Sequence, residues 1–365
     1  MALNCGIIGI TNTGKTTIFN CMSASKAQSS NFAFSATKSN IGIVNVPDDR
    51  LYKISRFIKP ARVVPATVEI IDIPGLAKGA SKGEGVGNKF LSDIQQADAL
   101  IHVLRCFDDE DLPHVEGSVN PVRDKEIIDL ELQVRDLEMV ERKIERTRKV
   151  ARAGERSAQK ELEILEVYKN HLENFQSART VPLNNEQKKL VSDLFLLSGK
   201  PVIYVCNVDE KSAAEGNAYA EQVKEAVKAE ETGMLILAGR LEAEISELED
   251  EADRKAFLED AGLSEPGVNK LIRSAYDILD LQSFFTAGPK EVRAWTIKKG
   301  TKASRAAGVI HSDLERGFIR AEVMKYNDFI ALGSEQACKD KGKFHIEGKS
   351  YIVQDGDILH IRFNV

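Results

Sequence analysis

The chain has 365 residues, 42% of them apolar and 29% charged, with a net charge of −6. That length accommodates two or three domains with sizeable cores, and the acidic balance disfavours a general polyanion binder while leaving room for local basic patches. No run approaches 18 uninterrupted apolar residues and no basic leader or cleavage pattern opens the chain, so neither a membrane span nor a secretory signal is expected and the protein reads as cytoplasmic.

The first element is an apolar run, Cys5 to Ile10, which reads as a buried strand. It leads into Gly9-Ile10-Thr11-Asn12-Thr13-Gly14-Lys15-Thr16, which fits G-x-x-x-x-G-K-[ST]. A helical pattern with Ile18, Phe19 and Met22 follows. Strand before and helix after identify a phosphate loop. Its glycines permit a tight turn, so Asn12, Thr13, Gly14, Lys15, Thr16 and Thr17 surround phosphate oxygens. Lys15 reaches the β- and γ-phosphates, the Thr16 hydroxyl ligates Mg²⁺, and the helix N-terminus adds to the attraction.

The next apolar strand, Val68 to Ile73, ends at Pro74-Gly75. Asp72-Ile73-Pro74-Gly75 fits D-x-x-G, in which the Asp reaches Mg²⁺ through water and the Gly N–H bonds the γ-phosphate. Leu76 follows, where many GTPases carry a glutamine that orients the attacking water. Leucine cannot hydrogen-bond a water, so another group must do that work or hydrolysis is slow. Lys78 to Lys89 holds four glycines and three lysines and reads as a switch that orders on nucleotide binding.

Ala99 to Leu104 is a third, fully buried strand. From about Glu126 to Gly154 the chain is charged and free of proline, with Leu130, Leu137, Ile144 and Ala151 repeating every seven residues. A second helix carries Leu162, Leu165, Tyr168, Leu172 and Phe175 on one face. The pair predicts an antiparallel helical hairpin turning at Gly154. Between Arg142 and Lys160 lie eight basic residues (Arg142, Lys143, Arg146, Arg148, Lys149, Arg152, Arg156, Lys160) and two acidic ones. Such a stripe suits an RNA backbone; the alternative is a solvated face with intrahelical ion pairs. A short third helix is expected between Asn185 and Leu197.

Pro201 to Asn207 is another buried strand, and Asn207-Val208-Asp209-Glu210 occupies the place of the N-K-x-D of GTPases. Val208 removes the stacking lysine stem, and Glu210 lengthens the terminal carboxylate by one methylene. Guanine then loses its bidentate partner. Asn207 retains a reach toward the adenine N7 and N6 edge, which favours ATP over GTP. The alternative is that Asp209, one place early, still accepts from guanine. A strand from Gly233 to Ala238 brings Ala238 and Gly239 to the same nucleotide site. Buried strands separated by helices predict an α/β fold, a doubly wound, mostly parallel sheet.

After Gln282 the texture changes. Strand-like runs at 292–297, 317–323, 349–353 and 358–363 flank one short helix near Ser304 to His311, a small α+β domain. Lys290, Arg293, Lys298, Lys299, Lys302 and Arg305 form a second basic cluster. The expected organisation is a nucleotide-binding domain at 1–125 and 200–281, an inserted hairpin at 126–199 and a C-terminal domain at 282–365. The five cysteines, Cys5, Cys21, Cys106, Cys206 and Cys338, form no C-x-x-C pair and read as reduced thiols rather than a zinc site.

These features together resemble the YchF-type Obg-like ATPases, P-loop proteins of the GTPase class with a C-terminal TGS domain of β-grasp type. The resemblance is carried by the phosphate loop, the run from Asp72 to Gly85, and Asn207-Val208-Asp209-Glu210. In the last domain it is carried by residues 294–297, 310–313, 317–323 and 356–358. It implies ATP hydrolysis with Mg²⁺, association with the ribosome or its large subunit, and a negative influence in stress responses. It also implies a catalytic histidine in a flexible loop in place of the missing glutamine. The matching residue is His114, in Leu112-Pro113-His114-Val115-Glu116-Gly117, acting with Lys15 and Gly75; read without the resemblance, His114 is a solvated loop histidine.

One departure stands out. The first switch of that family reads N-[YF]-P-F-x-T-I-x-P-N, and here the run from Asn31 to Asn40 has Ala36 at the Thr position and neither proline. Ser35 or Thr37 substitutes as a Mg²⁺ ligand, or water does. Thr16, Asp72 and Thr37 are thus the candidate metal ligands. The expected protein is a monomeric ATPase switch contacting ribosomal RNA through the basic hairpin face and the TGS domain. The alternatives are an Obg-type GTPase in ribosome assembly and a nucleotide-gated RNA binder with negligible hydrolysis.

Overall fold

The computed structural model describes residues 3–27, 41–75, 86–230 and 232–364. The chain divides into two compact units, Met1–Gly42 with Glu69–Leu271, and Ile43–Val68 with Ile272–Val365. In chain order the first half runs β1 (Asn4–Ile8), α1 (Lys15–Ala27), β2 (Ile41–Asn45), α2 (Asp49–Ile58), β3 (Arg62–Val64), β4 (Thr67–Asp72), α3 (Val86–Gln96), β5 (Ala99–Cys106), α4 (Pro121–Arg152) and α5 (Arg156–Glu173). There follow α6 (Asn185–Leu190), β6 (Val202–Val208), α7 (Ala218–Val227), β7 (Gly233–Leu237), α8 (Gly239–Glu247), α9 (Glu251–Asp260) and α10 (Gly267–Ile278). The last stretch holds β8 (Leu281–Ala287), β9 (Glu291–Lys298), α11 (Ala303–Ile310), α12 (Ser312–Arg316), β10 (Phe318–Met324), α13 (Tyr326–Leu332), α14 (Glu335–Asp340), β11 (Phe344–Glu347) and β12 (Ile358–Phe363).

In the first unit, strands pair in parallel in the order β4-β1-β5-β6-β7. Every residue of β5 and β6 is buried. Parallel strands need crossover helices, which cover both faces, and this is why these strands read as continuous apolar runs rather than alternating ones. Ile8, Ile71, Leu100, Leu104, Tyr204 and Leu241 share one core.

Helix α4 starts with Pro121 behind Asn120, whose side chain accepts from the Arg123 N–H. Its first turns bury Ile128 and Leu132 in the sheet core. Further along, Val140 and Ile144 pack with Ile164, Leu165 and Leu172 of α5 in a separate core. The helix therefore has two partners, and its buried stripe shifts between them. The heptad of Leu130, Leu137, Ile144 and Ala151 holds from Leu137 onward and fails at Leu130, which is 43% exposed for this reason; Phe175, placed on the apolar face of the second helix, lies past the end of α5 and is 74% exposed. Gly154 makes the turn with φ 92°. The third helix is shorter than expected. Residues 191–193 turn, the apolar continuation Leu194 to Leu197 is irregular, and the Asp136 carboxylate of α4 accepts from the Leu197 and Ser198 N–H groups at 2.7 Å each.

In the second unit the strand order is β11-β10-β12-β8-β9-β3. The β8–β9 and β10–β12 pairs are antiparallel, and Ile358 of β12 pairs in parallel with Phe285 of β8. Helix α11 buries Ala303, Ala306 and Ala307 against Phe284, Phe318 and Leu359, as a helix grasped by a sheet should. Two sequence expectations are corrected here. Residues 349–353 form only an isolated bridge, Lys302 with Ile352, while the strand lies at β11. Residues 43–68, assigned by sequence to the nucleotide-binding domain, belong to this unit, because β3 pairs with β9 and Arg62 bonds Glu291. No described helix is long and apolar enough to cross a membrane.

Candidate nucleotide-binding site

The phosphate loop connects β1 to α1. Gly9 and Gly14 take φ of 151° and 90°, and a Cβ on Gly14 would lie 2.3 Å from Asn207 Nδ2. Asn12 adopts φ 64°, the left-handed region that Asn tolerates. The loop thus turns its N–H groups inward at the start of α1. Lys15 is buried, and its Nζ donates to the Ile10 carbonyl at 2.6 Å. Burial pulls the Lys15 ammonium down to about 8, against the opposing pull of the Asp72 carboxylate.

Parallel pairing of β1 with β4 brings the D-x-x-G element to this loop. Thr16 Oγ1 donates to Asp72 Oδ2 at 3.2 Å. A Cβ on Gly75 would stand 2.9 Å from Lys15 Nζ and 3.1 Å from the Thr11 N. Two oxygen donors therefore converge beside the lysine. Such a pair fits a small hard cation, which keeps most of its shell as water and phosphate oxygens.

A cleft of about 1440 Å³ opens over these groups. Asn12, Gly14, Lys15, Thr16, Thr17, Asp72, Gly75, Asn207, Val208, Glu210 and Gly239 line it. Thr13 and Ala238 are buried behind it, with Thr13 Oγ1 donating to the Ile10 carbonyl. Thr37, the first-switch run 31–40 and residues 78–85 of the run from Lys78 to Lys89 lie outside the described residues, and the last four residues of that run begin α3.

The expected base end, Asn207 to Glu210, lines the same cleft. Asn207 is buried; its Nδ2 donates to the Thr13 carbonyl at 2.9 Å and its Oδ1 accepts from the Gly239 N–H at 2.8 Å. Asn207 thus braces the phosphate loop against α8, with one hydrogen of its amide and one lone pair of its carbonyl oxygen left over at the cleft lining. Asp209 is likewise occupied: its oxygens accept from the Ser212 N–H and hydroxyl. Glu210 pairs with the exposed Arg240 at 3.2 Å.

His114 also lies elsewhere than a solvated loop position. Its side chain is 3% exposed, with Nε2 at 2.9 Å from Asp124 Oδ2. Nδ1 accepts from the Glu116 N–H at 3.1 Å. His114 is absent from the cleft lining, although Asn12 Nδ2 donates to the Pro113 carbonyl next to it.

Sequence reasoning missed Arg105. This fully buried guanidinium donates to the carbonyls of Phe107, Asp109 and Leu112, and so shapes the loop that lines one wall of the cleft. Asn217 adds a bond from its Nδ2 to the Cys106 carbonyl at 2.7 Å. An arginine at the end of an apolar strand was the available signal.

A glycine-rich loop between β1 and α1, a D-x-x-G turn on the neighbouring strand and a cleft at the carboxyl ends of parallel strands define a P-loop protein of the GTPase class. A family model described as "50S ribosome-binding GTPase" matches residues 4–143. The model YchF-GTPase_C, described as "Protein of unknown function (DUF933)", matches residues 281–364. The chain is 47% identical to the "Ribosome-binding ATPase YchF" of Bacillus subtilis (strain 168) and 45% identical to that of Escherichia coli O157:H7, with 100% of both chains covered in each case. The solved structure of the Schizosaccharomyces pombe YchF GTPase superposes with a TM-score of 0.89 at 35% identity, over 99% of this chain and 97% of that one. The chain belongs to the YchF family.

Proposed function

We propose that this protein is an Mg²⁺-dependent, slow ATPase that acts as a molecular switch on the ribosome. The observation that carries the reading is the convergence of Lys15, Thr16, Asp72 and Gly75 at one end of a single cleft. Lys15 would hold the β- and γ-phosphates, and the Gly75 N–H would meet the γ-phosphate. Thr16 and Asp72 would hold Mg²⁺, with Thr37 as a third candidate. The cation supplies charge neutralisation for the leaving phosphate. His114 would orient the attacking water in place of a glutamine, which requires its ring to leave Asp124.

The names of the relatives in Bacillus subtilis and Escherichia coli support ATP and the ribosome. The replacement of N-K-x-D by Asn207-Val208-Asp209-Glu210 supports ATP from this chain's own residues, since Val208 removes the stacking lysine stem and Glu210 sets the terminal carboxylate one methylene further out. The hairpin supports an RNA partner. Lys143 and Arg148 pair with Glu161, Asp193 and Glu166. Arg142, Arg146, Lys149, Arg152, Arg156 and Lys160 are exposed and pair with no carboxylate among the described residues. In the TGS domain, Arg305 and Lys299 are paired with Glu315 and Asp277, so that cluster offers less free charge. The protein would act as a cytoplasmic monomer.

Calorimetric titration of ATP and of GTP, each with Mg²⁺, tests the central claim: ATP should bind more tightly. Tighter GTP binding would establish the second reading, an Obg-type GTPase, which the naming of the Schizosaccharomyces pombe protein as a GTPase favours. A Lys15→Ala variant that binds no nucleotide yet binds ribosomes as the parent does would favour a binding protein whose hydrolysis hardly matters.

A further inference from the structure

We propose that Asp124 is a positioning residue that latches His114 out of the nucleotide cleft; this rests on the reading of His114 as the group that orients water. The Asp124 side chain is fully buried and divides its two oxygens between two partners. Oδ2 faces His114 Nε2 at 2.9 Å, and Oδ1 accepts from Arg123 Nη2 at 3.1 Å. The Glu116 N–H donates to His114 Nδ1, so the ring proton of the neutral imidazole sits on Nε2 and is donated to Asp124. Neither nitrogen then has a free lone pair for a water. The latched ring is both outside the cleft lining and chemically occupied.

The latch joins two working parts of the molecule. On one side, Asn12 of the phosphate loop holds the Pro113 carbonyl at 3.2 Å, one residue from His114. On the other, Asp124 belongs to the first turns of α4, the same continuous helix whose far end carries Arg142, Arg146, Lys149 and Arg152. A rigid helix with a basic outer end and a latch at its inner end is placed to convey RNA contact to His114. Release of the ring exposes Nε2 or Nδ1 to water and completes the site.

The test compares the full-length parent, Asp124→Asn, His114→Ala and the double variant in single-turnover ATP cleavage with Mg²⁺. Asparagine keeps the shape but replaces a charge-assisted bond with a neutral one, and the cleavage rate should rise by about tenfold with KM unchanged. His114→Ala should lower the rate, and the double variant should match His114→Ala alone. An Asp124→Asn rate equal to or below the parent's, with His114→Ala still impaired, overturns the latch and leaves the role of His114 standing. An unimpaired His114→Ala overturns both. Should Asp124→Asn fail to fold, ¹⁵N-histidine spectra of the parent decide. The His114 signal, assigned by its loss in His114→Ala, should report a fixed Nε2–H in nucleotide-free protein. It should change on addition of a non-hydrolysable ATP analogue with Mg²⁺ and a basic-face ligand such as single-stranded RNA. An unchanged signal overturns the proposal.

Discussion

The two ends of the cleft are built by different means. At the proposed phosphate end the candidate groups are main-chain N–H groups and a lysine within one eight-residue motif, joined by a four-residue motif on the adjacent strand. At the expected base end the candidate reading groups also hold the protein together. Asn207 clamps Thr13 to Gly239, Asp209 caps a turn through Ser212, and Glu210 meets Arg240. A phosphate can be bound by backbone geometry that the local sequence dictates. A base must be read by side chains whose free edges depend on what else is packed around them.

The sharpest way to break this contrast is Lys15→Ala. It should cost on the order of 10²-fold in ATP affinity by calorimetry, because the triphosphate loses its buried cation. His114→Ala probes chemistry rather than affinity; it should lower turnover on the order of 10²-fold while leaving the ATP dissociation constant within about twofold. Asn207→Ala should destabilise the protein by about 2–3 kcal/mol in denaturant titrations, since two buried backbone groups lose their partner. It should weaken ATP and GTP equally; a loss confined to ATP would show that Asn207 reads the base after all.

The phosphate end also makes a pH prediction. Free Lys15 titrates at about 8, and a bound triphosphate favours its charged form. Binding therefore takes up a proton above that pH. Affinity should be full below pH 8 and fall by up to about tenfold per unit above it, and a flat profile from pH 7 to 9.5 would argue against the lysine contact. The smallest effect is expected at the rim of the base end. Arg240→Ala removes an exposed ion pair with Glu210 and should change stability by less than about 0.5 kcal/mol.

Much of the fold was legible. The parallel strands β4, β5, β6 and β7 fall within two residues of the apolar runs that predicted them; β5 and β6 are buried throughout, and a strand buried on both faces leaves an unbroken signal. The hairpin turn at Gly154 was legible for a similar reason, a left-handed residue between two charged helical patterns. The start of the α4 seam was not. Periodicity reports that a helix has a buried face, but Leu130 was assigned to it wrongly because the helix changes partner along its length. Residues 43–68 were misplaced for an analogous reason: a short strand such as β3 carries no mark of which distant sheet it will join.

The sequence by itself determined the phosphate loop, the D-x-x-G turn and the substitution of N-K-x-D, since each is a matter of residue types at fixed spacing. Only the tertiary structure decided what the side chains are free to do. It brought Thr16 to Asp72, buried Lys15, occupied Asn207 at both ends and turned His114 toward Asp124. The reason is physical: a buried polar group must find a partner, and which partner it finds is set by chain segments ten to two hundred residues away.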